Sequence, residues 1–104
     1  EQFAKAVRTL VKKLPNGIAI REDSQQLVRS SGSVGANYIE AQEALSRKDF
    51  ALRIKICRKE AKESRYWLNL LEDIPHDVYA ERDSLQHEAF ELLKIFSSIV
   101  EKVR

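Results

Sequence analysis

The residue types that most often carry chemistry are scarce in this sequence, which has two histidines and one cysteine in 104 residues. His76 and His87 stand eleven residues apart, whereas two metal ligands on one helical face are usually four apart. A ferritin-like metal site needs a Glu three residues before each histidine. Asp73 and Ser84 occupy those positions, so no metal site is predicted. We expect His76 in a loop and His87 on an exposed helical surface.

Cys57 and one Asn–Glu pair are the remaining candidates for chemistry. A lone cysteine excludes an internal disulfide, and Cys57 falls on an apolar helical face, which favours an inert buried thiol. Asn37 and Glu40 lie beside apolar positions, and we expect this pair to be partly buried and to make structural hydrogen bonds. Contact with a partner and catalysis by Glu40 are the alternatives. No phosphate loop or nucleophile motif is present, so we predict a protein that is not an enzyme and needs no cofactor.

Basic residues are concentrated between positions 47 and 65. This stretch carries eight basic and three acidic residues, a net charge of +5, while the whole chain has only +2. At about 100° per helical residue, seven of the eight share one side of a helix. This basic strip consists of Arg47, Lys48, Lys55, Arg58, Lys59, Lys62 and Arg65.

Two interpretations of the basic strip stay open. In the first, it binds the phosphates of a nucleic acid, with Tyr66 on the same side of the helix as a stacking ring. In the second, it is a solvated face whose lysines pair with acidic neighbours, such as Glu63 four residues after Lys59.

The elements that position these residues are predicted to be helical. Three glycines and two prolines offer too few turns for an all-β fold, and 43% apolar residues are enough for one core, so residues 1–104 are predicted to be a single domain. Breaks at 14–17 and 73–77, with a weaker joint at 45–49, leave helices near 1–14, 22–45, 46–73 and 77–104. Ser46 and Asp77 are the predicted caps of the last two helices.

Apolar residues repeat with helical period in each segment, which predicts an all-α, up-down four-helix bundle. The first stripe is Phe3, Val7, Leu10 and Leu14. The second is Leu27, Ser31, Val34, Tyr38, Ala41 and Leu45. The fourth segment repeats Leu85, Ala89, Leu92, Phe96, Ile99 and Val103. Gly32 and Gly35 interrupt the second segment, either for close helix packing or as a break that exposes backbone.

The third segment carries two apolar faces on nearly opposite sides. One is the core face, formed by Phe50, Ile54, Cys57, Ala61 and Leu68. The second apolar face consists of Leu52, Ile56, Trp67 and Leu70. A helix of a small bundle buries one face only, so we interpret the second as a subunit interface with Trp67 buried between subunits. Cover by a long loop is the alternative.

Targeting signals are absent from the sequence. No apolar run approaches the roughly 18 residues of a membrane span, and no signal peptide opens the chain. We therefore expect a cytoplasmic protein with no membrane partner. The sequence has no Met, so we also expect that further residues precede Glu1.

Residues 29–71 resemble one family closely. Its Ser-Val-x-x-Asn-x-x-Glu block falls on Ser33, Val34, Asn37 and Glu40, and its Ser-x-x-Asp/Glu-Phe block on Ser46, Asp49 and Phe50. Many members have Gly after that Glu, where this chain has Ala41, a feature it shares with members that carry its Tyr66-Trp67-Leu68 run. The family is that of four-helix-bundle proteins encoded in the intervening sequences of bacterial large-subunit rRNA genes.

The resemblance implies a homo-oligomeric ring, with a pentamer favoured. A related protein, the accessory variability determinant of diversity-generating retroelements, implies partners such as nucleic acid and a reverse transcriptase. We predict a non-catalytic oligomer that binds structured RNA or DNA through the basic strip, as an accessory to a nucleic-acid-processing partner. The alternative is a protein–protein interaction scaffold with no nucleic-acid role.

Overall fold

The breaks predicted from Pro, Gly and Asn separate the helices of the structure. The computed structural model describes residues 2–103. These residues form four α-helices, α1 (Gln2–Val11), α2 (Ile18–Gln42), α3 (Arg47–Leu70) and α4 (His76–Lys102), and contain no strand. The all-α prediction is therefore confirmed, with helix ends that differ from the predicted ones by between one and four residues.

Specific side chains and backbone angles set the ends of the helices. Gly17 has a φ of 155°, which L-residues rarely adopt, and α2 starts directly after it. The predicted cap of α3 is confirmed, because the Ser46 side chain accepts a hydrogen bond from the Asp49 backbone N–H at 3.0 Å. Arg82 of α4 donates to the carbonyl of Leu71 at 2.9 Å, which satisfies backbone at the end of α3.

The predicted start of α4 is wrong in two details. The helix begins at His76, so this residue is not in a loop, and Asp77 is not the cap. Pro75 takes the N-cap position, where its fixed φ favours helix entry and its carbonyl accepts from Val78 N–H at 2.9 Å. Asp77 lies in the first turn, where a carboxylate complements the helix dipole.

The four helices pack as an up-down bundle with axes of 45 × 19 × 19 Å. Each helix contacts the next and α4 returns to α1, while the backbones of the diagonal pairs do not approach each other closely within residues 2–103. No helix in this part of the chain is both long enough and apolar enough to cross a membrane.

Buried side chains form two clusters along the bundle. The cluster beneath α1 draws on all four helices and includes Val7, Leu10, Leu27, Leu68 and Leu85. The other cluster comes from α2, α3 and α4 only and consists of Val34, Ala41, Ile54, Cys57, Ala61, Phe96 and Val100. With ten residues, α1 is about 15 Å long and covers only part of the 45 Å bundle. Next to Gln2 and Phe3 of α1, α2 and α4 line an apolar groove.

The predicted stripes account for most of this core, with two clear exceptions in the second stripe. Phe3, Leu27 and Phe96 are buried as predicted. Leu45 is 98% exposed because α2 ends at Gln42, so helical spacing no longer places residue 45 on the core side. Tyr38 is also exposed, on the rim of the groove between α2 and α4.

Gly32 provides a test of stability in the middle of α2. The helix runs unbroken through Gly32 and Gly35, so a break that exposes backbone is wrong. A Cβ added at Gly32 would meet only the end of the Arg8 side chain, at 3.7 Å. We expect Gly32→Ala to raise the free energy of unfolding by about 0.5–1 kcal/mol, because alanine loses less backbone entropy in a helix.

Urea denaturation of wild type and variant measures this difference. Gly17→Ala is the matched control, and it should lower stability because its φ of 155° strains an L-residue. A Gly32→Ala protein that is less stable than wild type would mean that α2 packs more tightly at residue 32 than this geometry indicates.

Candidate nucleic-acid interface

The basic strip separates into two rows with different surroundings. The lysine row consists of Lys48, Lys55, Lys59 and Lys62, all of which are exposed, and it ends at the exposed Tyr66. Steps of seven, four, three and four residues keep these five side chains on one side of α3. At 1.5 Å per residue the row spans about 27 Å.

The lysine row carries unneutralised charge. Within residues 2–103, no carboxylate pairs with any of its four ammonium groups. The predicted alternative pairing of Lys59 with Glu63 is wrong, because Glu63 instead accepts from Arg29 Nη2 of α2 at 2.9 Å. The ammonium groups of the row therefore keep their full capacity to bind anions.

The arginine row, which consists of Arg47, Arg58 and Arg65, is partly engaged with α4. The Arg65 guanidinium carbon lies 4.6 Å from the centre of the Phe90 ring, a cation–π contact. Arg47 Nη2 donates to the Lys102 carbonyl at 3.4 Å, and Arg58 is half-buried. Arg47 and Arg65 therefore help to hold α3 against α4, whereas the lysine row faces solvent.

An ion-pair network joins α2 and α3 beside the lysine row. Arg29 donates to Glu60 at 3.2 Å and to Glu63 at 2.9 Å. Glu60 is only 7% exposed, so its charge depends on these partners. Burial acts to raise the pKa of Glu60, but the hydrogen bonds from Arg29 and its positive charge outweigh burial, and the pKa lies below its usual value.

The contribution of the Glu60 carboxylate to stability is expected to appear in the pH dependence of the free energy of unfolding. A carboxyl group whose pKa is lowered on folding stabilises the protein above its ordinary pKa of 4.5, and this contribution is lost as the pH falls through the lowered value. We expect the free energy of unfolding to fall as the pH drops below the ordinary pKa of 4.5, and to fall less steeply in Glu60→Gln. Urea denaturation across this range measures both slopes.

Glu40→Gln is the matched control, because the exposed Glu40 carboxylate has no hydrogen-bond or ion-pair partner among residues 2–103. Its profile should follow that of wild type. Parallel profiles for wild type and Glu60→Gln would show that Arg29 does not stabilise the ionised form of Glu60.

The polar residues predicted to be structural behave differently from each other. Asn37 donates to the Ser33 carbonyl at 2.9 Å and accepts from Arg53 Nη1 of α3 at 3.1 Å, so it links α2 to α3. Glu40 was predicted to be partly buried and is exposed, because it lies on the outer side of α2. His87 is exposed on α4, with Glu91 at 3.7 Å.

Cys57 lies in the core, as predicted. Its thiol donates to the Val34 carbonyl at 3.5 Å, and burial raises the pKa of the thiol to about 11. A thiol with this pKa is protonated at neutral pH and is a poor nucleophile.

The residues of the second apolar face of α3 differ in how exposed they are in the single chain. Leu52 is 54% exposed and Leu70 is 41% exposed, so half of the set is available to a partner. Ile56 is half-buried, and Trp67 already packs against the cluster beneath α1. Leu52 and Leu70 are therefore the better probes of a subunit interface.

Two features at the contact between α2 and α3 could not be predicted from residue spacing along the sequence. One is the Arg29 network, whose members come from different helices. The other is a buried hydrogen bond of 2.9 Å between the hydroxyl groups of Ser30 and Ser64. Both depend on how the helices are paired and rotated, although the i, i+3 spacing of Glu60 and Glu63 does place two carboxylates on one side of α3.

The fold and the lysine-rich side of α3 define an all-α four-helix-bundle protein with one cationic face. The chain belongs to the family of 23S rRNA-intervening sequence proteins, whose sequence pattern matches residues 1–98. The resemblance based on the Ser33–Glu40 and Ser46–Phe50 blocks is thereby confirmed.

A solved structure supports the same assignment. It is that of a protein of unknown function from the S23 ribosomal protein family of Bacteroides thetaiotaomicron. The two proteins are 34% identical, the alignment covers 95% of this chain and 92% of the other, and the TM-score is 0.78. A comparison with curated proteins found no significant match.

Proposed function

We propose that this protein is a non-catalytic, homo-oligomeric bundle that binds structured RNA or DNA through the lysine row of α3. The observation that carries the proposal is the line of four exposed lysines without a carboxylate partner in the described part of the chain. Phosphate contacts supply most of the affinity in non-specific nucleic-acid binding, and they need accessible cations of this kind. The link between the family and rRNA intervening sequences supports the same reading.

Oligomerisation would raise the affinity for nucleic acid of a cationic surface as small as one lysine row. The exposed Leu52 and Leu70 supply apolar area for a contact between subunits, and the resemblance favours a pentamer. Several copies of one lysine row bound to the same molecule raise the overall affinity through effective concentration. Within this proposal the protein acts in the bacterial cytoplasm, as an accessory to an enzyme that processes nucleic acid, such as a reverse transcriptase.

The salt dependence of binding tests the proposal. If the row of one protomer neutralises about four phosphates, the logarithm of the association constant should fall against the logarithm of salt concentration with a slope near −3. Fluorescence anisotropy with a labelled RNA hairpin between about 50 and 200 mM salt measures this slope. A flat response, or no binding at low salt, would refute the phosphate-binding role.

A scaffold role is the second candidate, with the lysine row in contact with an acidic partner or an acidic patch of the next subunit. It is favoured by an excess of acidic residues on α2 and its C-cap, where two arginines are outnumbered by Glu22, Asp23, Glu40 and the C-cap residue Glu43. Charge reversal by Lys59→Glu and Lys62→Glu separates the candidates. Loss of the oligomer would indicate a subunit contact, whereas loss of RNA binding alone would indicate a nucleic-acid face.

A further inference from the structure

The lysine row ends in a cleft between α2 and α3. This cleft has a volume of about 450 Å³ and includes Lys59, Lys62, Tyr66 and Trp67 of α3 together with Gln26 of α2. Its volume is in the range of sites that hold small organic groups. The cleft therefore gives this end of the lysine row a concave, partly aromatic site.

Tyr66 gives the cleft an exposed aromatic surface that is held in place. The side chain is 56% exposed, and its ring meets that of Trp67 edge to face, with 4.9 Å between centroids and 72° between planes. Trp67 in turn packs against the cluster beneath α1. Such a supported ring loses little side-chain entropy when another flat ring stacks on it.

The polar groups of the cleft match the remaining parts of a nucleotide. Lys59 and Lys62 have no carboxylate partner among residues 2–103 and can bind phosphate. The Gln26 side-chain oxygen accepts from Arg29 Nε at 3.3 Å, which leaves its amide N–H groups free to donate. Glu63 accepts from Arg29 with one oxygen, at 2.9 Å, and its other oxygen can accept from a base.

We propose that this cleft binds one unpaired nucleotide, whose base stacks on Tyr66 while the adjoining phosphates contact Lys59 and Lys62. The inference rests on the proposed function and specifies the kind of nucleic acid bound: single-stranded or looped segments are the preferred ligand. A base inside a duplex is already stacked on both faces and does not present a face to a side chain. Aromatic stacking of this kind tolerates many sequences.

The test compares a single strand with a duplex. Anisotropy measurements use a labelled, unstructured RNA of about 12 nucleotides and a duplex of the same length, at the same salt concentration. We expect the wild type to prefer the single strand. Tyr66→Leu, which keeps an apolar contact for Trp67, should weaken single-strand binding about tenfold or more, with little change in duplex binding or in the salt slope. Tyr66→Phe, which keeps the ring, should retain wild-type affinity.

Intrinsic fluorescence provides a second measurement on the same samples. Trp67 is the single tryptophan of the chain, so a base that stacks on Tyr66 should change its emission, and the duplex should not. Equal weakening of single-strand and duplex binding in Tyr66→Leu, or no weakening at all, would overturn the stacking site. That outcome differs from failure of the proposed function, in which the wild type binds neither ligand.

Discussion

The double variant Lys55→Gln/Lys59→Gln is expected to bind structured RNA about a hundredfold more weakly than wild type at about 50 mM salt. Both side chains are exposed and have no carboxylate partner in the described part of the chain, so their loss should leave the fold unchanged. Each lost phosphate contact should also reduce the steepness of the salt dependence by about 0.7–0.9. Anisotropy titrations at several salt concentrations measure the affinity and the slope together.

A control variant with the same change in net charge distinguishes direct contact of the lysine row with phosphates from attraction of RNA by the net charge of the protein. Lys12→Gln/Arg21→Gln removes two exposed cations near the connection between α1 and α2. This control variant should retain most of the wild-type affinity for RNA, and the slope of its salt dependence should be close to that of wild type. If both double variants weaken binding equally, the lysine row has no special role and only net charge matters.

Leu52→Asp is expected to convert the proposed oligomer into a folded monomer of 12.0 kDa. The Leu52 side chain is 54% exposed in the single chain, so a charge there costs the isolated bundle little. In a subunit interface, the same carboxylate would be buried without a partner, a penalty of several kcal/mol for each contact. Light scattering on a sizing column measures the mass, and circular dichroism reports helix content.

Ile18→Asp is the matched control for this prediction, because Ile18 is an equally apolar, exposed side chain that lies outside α3. It should leave the mass unchanged. Trp67→Asp is a poorer probe, since Trp67 packs against the cluster beneath α1 and its loss would also disturb the fold. If Leu52→Asp keeps the mass of the wild type, the second apolar face of α3 does not hold subunits together.

The helices and most of the core could be predicted because they depend on local spacing. Helical periodicity identified Ile54, Cys57, Ala61 and Leu68 as core residues of α3, and all four are fully buried. The breaks at 14–17 and 73–77 depend on proline and glycine, which act on the backbone wherever they occur. Leu45 was misplaced because the same spacing was extended past the end of α2.

The candidate site was only partly predictable, because the residues of the neighbouring helices determine which basic side chains of α3 are engaged and which remain available. A helical wheel placed all seven basic residues on one side, but it could not show that Arg65 stacks on Phe90 while Lys59 has no carboxylate partner within residues 2–103. Likewise, Glu63 had a suitable partner four residues away on its own helix and yet pairs with Arg29 of α2. Such choices follow from the rotation of packed helices, which sequence spacing does not encode.

Chemical footprinting of lysines, with and without RNA, tests the central claim most directly. Acetylation of each lysine is quantified by mass spectrometry at low salt, with the oligomeric state held constant between the two samples. The predicted result is that RNA protects Lys48, Lys55, Lys59 and Lys62 and leaves Lys12 as reactive as before. Bound RNA that protects other lysines and leaves the lysine row reactive would contradict the assignment of this surface.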